Sequence, residues 1–70
     1  MTRLNIATAI LAASKKQDDL WPKATSVDLF MAAQKTCKDK KIAGLAVTMV
    51  MTGISDFIDW AQDVVADEAH

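Results

Sequence analysis

Apolar residues recur along this chain at helical spacing, in stretches separated by polar or proline-bearing breaks. In the first stretch Leu4, Ala7, Ile10, Leu11 and Ser14 share one face, and Ile6, Ala9, Ile10 and Ala13 fill the next. A helix is expected from Leu4 to about Lys16, with Thr2 in position to cap it. The pattern fails over Gln17–Thr25, where Asp18-Asp19 is polar and Pro22 pushes Trp21 out of the helical region. Leu20 and Trp21 are expected to fold back as an apolar plug. A second helix should follow over 26–38. Thr25 with Asp28 three residues on resembles a capping box, and Lys35 and Lys38 favour the last turns. Val27, Phe30, Met31, Gln34 and Cys37 would form its inner face, widened by Leu29, Ala32, Ala33 and Thr36. Asp39 is placed to cap the next element. No Asn-Gly or Asp-Gly hairpin signal occurs, and alternation with a period of two never persists.

The third stretch repeats differently. Ala43, Val47, Val50, Ile54, Phe57, Ala61 and Val64 follow one another at alternating steps of four and three, and the rhythm runs through Gly53 without a change of phase. It predicts one continuous helix over 40–67, about 40 Å long at 1.5 Å per residue. The competing reading is a turn at Thr52-Gly53 and a fourth helix. At about 100° per residue, Asp56, Asp59, Asp63 and Asp67 fall into one acidic stripe, with Trp60 on its border. The same direction in the N-terminal half is occupied by Ile42, Leu45 and Met49. Residues 42–51 are thus apolar nearly all round, which marks a buried central rod, while 54–68 is amphipathic. The predicted class is all-α: one small domain, a three-helix bundle with a long apolar C-terminal helix, or a four-helix bundle if the chain turns at Gly53.

Composition adds a constraint. Seventy residues that are 51% hydrophobic carry more apolar surface than so small a body readily hides. Self-association is the natural outlet, with Val50, Ile54, Phe57, Ile58, Ala61, Val64 and Val65 as the expected oligomer seam. The single cysteine, Cys37, excludes an internal disulfide and fits a half-buried helix face in a reducing, cytoplasmic setting. Met1–Arg3 ahead of Leu4–Ala13 faintly resembles a secretion signal, but Asn5 and Thr8 interrupt it and Lys15-Lys16 follows. The uncharged run 42–55 is too short for a spanning helix, which needs about 20 residues.

Charge changes the picture most. Residues 1–41 hold eight basic and four acidic side chains, a net of +4, whereas residues 42–70 hold five acidic and no Lys or Arg, a net of −5. Acidic groups near a helix C-terminus oppose its dipole, so Asp59, Asp63, Asp67 and Glu68 do not serve the helix itself. They either solubilise an apolar protein or dock a basic surface, of another subunit or of another protein. Asp56, Asp59, Trp60, Asp63 and Asp67 are the expected contact surface, with Trp60 as its anchor. A divalent-metal site has no ligand-loop motif behind it. Lys35, Lys38, Lys40 and Lys41 form a basic cluster that supports a nucleic-acid alternative. Against it stand the scarcity of Arg, the lack of interleaved aromatics, and a following helix too apolar to read a groove. A membrane-surface helix over 42–58 is a further alternative. The sole histidine is His70, and no phosphate loop, nucleophile elbow or zinc motif occurs, so neither enzyme activity nor a cofactor is expected. The leading expectation is a small helical interaction module, an adaptor, regulator or inhibitor, that binds itself and a basic partner.

Overall fold

A computed structural model describes residues 3–53 and 55–68. Its order is α1 (Arg3–Leu20), α2 (Ser26–Thr36), α3 (Lys40–Met51) and α4 (Ser55–Glu68), all helical as the spacing predicts. Thr2, Ile54 and His70 lie outside the described residues.

The helix starts follow local chemistry. Asp28 N–H donates to the Thr25 hydroxyl at 3.3 Å, and Thr25 N–H donates to the Asp28 carboxylate at 3.1 Å. The capping box is therefore closed from both sides. Asp39 accepts from Lys41 N–H at 2.9 Å and Ile42 N–H at 3.4 Å, capping α3. Helix α2 ends at Thr36, two residues before the expected Lys38, because Cys37 is already extended at φ −139° and ψ 116°. Cys37 is buried at this C-cap.

Four expectations are corrected. First, α1 continues to Leu20, four residues past Lys16. Polar Gln17, Asp18 and Asp19 sustain a helix, and only Pro22, with no N–H to give, stops it. Trp21 then falls in the closing turn, where its N–H reaches the Asp18 carbonyl, and it is 71% exposed rather than a plug. Second, of the expected inner face of α2, Leu29, Ala33 and Cys37 are buried and Phe30 packs against the core, while Val27 and Met31 face outward, 64% and 58% exposed. Both stripes are apolar, so periodicity alone does not choose between them.

Third, the long helix is broken. Thr52 N–H bonds to the Thr48 carbonyl, Gly53 N–H turns back to the Val50 carbonyl at 3.1 Å, and Gly53 sits at φ +74°. This is the left-handed helix stop that glycine adopts without a Cβ penalty. The unbroken rhythm across Gly53 has another cause: α3 and α4 each present one apolar face to the same core.

Fourth, α3 is not the central rod. Helix α1 packs against all three others, α2 also packs on α3, and α3 barely touches α4. Among the described residues α2 and α4 make no contact. The buried positions of α1 are Ala7, Ala9, Ile10 and Ala13. Three methyl side chains let neighbouring helices approach α1 from several sides, which a helix of bulky residues does not permit. Around it close Leu29 and Ala33 of α2, Ile42, Ala43, Ala46, Val47 and Val50 of α3, and Ala61 and Val64 of α4. Among the described residues no buried side-chain N or O lacks a hydrogen-bond partner.

Candidate functional site

Because α3 and α4 diverge from Gly53, a wedge opens between them. Helix α1 supplies its floor through Ile6. Leu45 and Met49 form one wall, and Asp56, Phe57 and Trp60 the other. The groove encloses about 420 Å³ and is open to solvent. Its lining is apolar except for Asp56. Leu45 is 47% exposed and Trp60 37%, so both walls keep apolar surface in contact with solvent. That combination of concave apolar surface and convergent polar edge is what a binding site for another molecule requires.

The sequence-predicted contact residues divide between the groove and the outer face. Asp56 and Trp60 line the groove, while Asp59, Asp63 and Asp67 are exposed on α4. The acidic stripe is therefore a solvent-facing edge beside an apolar cleft. Among the described residues no group of three His, Cys, Asp or Glu is arranged to hold a metal ion. Glu68 pairs with Arg3 at 3.8 Å. Each of these two opposes its own helix dipole but complements the other's, with Glu68 beside the α1 N-terminus and Arg3 beside the α4 C-terminus.

The predicted seam residues lie mostly within the chain's own core. Val50, Ala61 and Val64 are buried, Ile58 and Val65 pack partly buried against the core, and Phe57 is a groove wall. Ile54 is outside the described residues. The periodicity that suggested a seam is thus accounted for by packing within one chain. Lys35, Lys38, Lys40 and Lys41 are all exposed around the α2–α3 junction. Lys16 joins Lys35 beside Met31 in a cleft between α1 and α2.

Sequence reasoning missed Ile6, Leu45 and Met49 as site residues. The signal was present: Leu45 and Met49 share the angular direction of the acidic stripe on one continuous wheel. A buried rod explained their apolarity, whereas the observed break leaves them facing a cleft. The run 42–58 is interrupted at Thr52-Gly53, and among the described residues no helix is long and apolar enough to cross a membrane.

Comparison with models of protein families, with curated proteins and with solved structures found no match to this chain.

Proposed function

We propose that the chain is a helical protein-binding module, an adaptor, regulator or inhibitor rather than an enzyme, and that the α3–α4 groove is its working surface. The observation that carries this reading is the coincidence of an apolar cleft with the acidic edge: Leu45, Met49, Phe57 and Trp60 beside Asp56, with Asp59 and Asp63 further out on the same helix. Apolar walls give affinity through burial, and charge at the rim sets orientation and partner choice. The complementary ligand is one face of an amphipathic helix, with large apolar residues at i and i+4 and lysine or arginine alongside.

A single-tryptophan protein tests this. In a Trp21→Phe background, which removes an exposed ring, Trp60 is the only indole. A synthetic amphipathic helical peptide with a leucine face and lysine flanks should shift Trp60 emission to the blue and saturate. Asp56→Asn should weaken binding and flatten its dependence on salt. The same peptide with glutamate in place of lysine should bind far less. An emission spectrum unmoved up to millimolar peptide, or equal binding of the acidic peptide, rejects the reading.

A further inference from the structure

We infer that the groove's occupant is α2 of a second copy of the chain, so that the protein assembles head to tail. This rests on the groove reading above and names its partner.

The outer face of α2 has the features the groove lacks. Val27 and Met31 are one helical turn apart, and both are more than half exposed. The next residue on that line, four further on, is Lys35. Lys16 of α1 lies in the same cleft as Met31 and Lys35, and Lys23 and Lys38 are exposed nearby in the chain. Asp28 also lines that cleft, but its carboxylate is engaged by the Thr25 N–H and hydroxyl. The α2 face is therefore a short apolar stripe edged with lysine. The groove is an apolar cleft edged with aspartate. Hydrophobicity and charge pair one with the other.

The two surfaces cannot meet within one molecule. Val27 borders an open cleft with Gly44 and Val47 of α3, whereas Leu45 and Met49 of the same helix line the groove, which no α2 residue reaches. Among the described residues α2 and α4 do not touch. Pairing is left to separate copies. Because the two patches differ, the contact is heterologous, and each added copy presents a free groove or a free α2 face. The uneven placement of charge along the chain then has a structural use: a positive face and a negative face at different sites of one protomer.

The test separates this from other assemblies. Met31→Glu places an acid on the α2 face, and Leu45→Glu places one in the groove. Both positions are exposed, and circular dichroism should show each variant as helical as wild type. By light scattering at low salt, wild-type protein should grow in mass with concentration, past a dimer, and shrink as salt is added. Each variant alone should be monomeric. An equimolar mixture of the two should give a species of twice the monomer mass and nothing larger, since one variant keeps the groove and the other keeps the α2 face. A reciprocal charge swap checks the same contact without large apolar changes: Lys35→Glu and Asp56→Lys should each weaken assembly, and mixing them should restore growth past a dimer, because the native pairing and its inverse alternate along the chain of copies.

A wild-type protein that stays monomeric at millimolar concentration overturns the inference. So does a single variant that still dimerises, which would mean a symmetric contact, or a mixture that remains monomeric while wild type assembles. If wild type is monomeric yet the basic peptide still shifts Trp60, self-docking fails and the groove reading stands. If neither occurs, both fall.

Discussion

Gly53 separates two chain geometries, and its substitution discriminates between them. The residue is exposed at φ +74°, and among the described residues nothing lies within 4 Å of a Cβ placed on it. Replacement by L-alanine therefore meets no neighbour, and its whole cost is in the backbone. Holding an L-residue in the left-handed region costs about 1–2 kcal/mol. Restricting the unfolded chain returns about 0.4–1 kcal/mol. The net expectation for Gly53→Ala is a loss of about 1 kcal/mol, which for a domain of this size moves a thermal midpoint by about 4–8 °C. D-alanine, introduced by chemical synthesis, suffers no left-handed penalty and still restricts the unfolded chain. It should raise stability by about 0.5 kcal/mol. Urea unfolding followed by helical ellipticity measures both, with the slope checked for constancy so that midpoints are comparable. A D-alanine protein no more stable than the L-alanine one would refute the left-handed stop. So would an L-alanine protein at least as stable as wild type; a continuous helix over 40–67 demands a gain of about 0.5–1 kcal/mol.

The other glycine should behave in the opposite way. At Gly44 a Cβ would meet Phe30 Cε2 at 4.0 Å, an ordinary contact inside a helix, so Gly44→Ala should stabilise by about 0.5–1 kcal/mol in the same urea assay. Thr25→Ala and Asp39→Ala each remove a cap and should cost about 1 kcal/mol apiece, read as a fall in urea midpoint. Leu29→Ala removes one of the two largest fully buried side chains and should cost about 2–5 kcal/mol, enough to leave calorimetry with a weak transition or none. Ala13→Leu overfills the point where α1 meets its neighbours and should cost about 1–3 kcal/mol despite a better side chain for burial; a neutral result would mean that the core around α1 is loose.

Much of the fold was legible because its signals are local. The Thr25–Asp28 box, the Asp39 cap and the amphipathic α4 follow from residues within one or two turns of each other. The error at Gly53 is instructive. A repeat of four and three looks identical whether one helix carries it or two helices share a core, because both place their apolar faces inward. What decides is the cost of a left-handed residue against the gain from packing Ala61 and Val64 on α1, and that gain is tertiary. The same holds for Val27 and Met31, which match Leu29 and Ala33 in apolarity and differ only in where α1 and α3 lie. The hub role of α1 was hidden for a further reason: apart from Ile10 its buried residues are alanines, which raise little hydrophobic signal yet permit the closest approach. Trp60 and Asp56 were singled out from the acidic stripe, and both line the groove. Their opposite wall was not, since it depends on how far the chain turns at Gly53.

The position of α1 has a consequence for how the protein comes apart. Helix α4 rests almost wholly on α1, while α2 and α3 hold α1 and each other. The first three helices keep all their mutual contacts when α4 lifts away. Amide exchange should therefore show α4 opening as a separate unit, ahead of the α1–α3 remainder. That opening also removes one wall of the groove. Occupancy of the groove and closure of α4 are then one coupled equilibrium: a ligand that bridges Leu45 and Trp60 acts as a clasp, and it should slow exchange along α4 while leaving α2 unchanged.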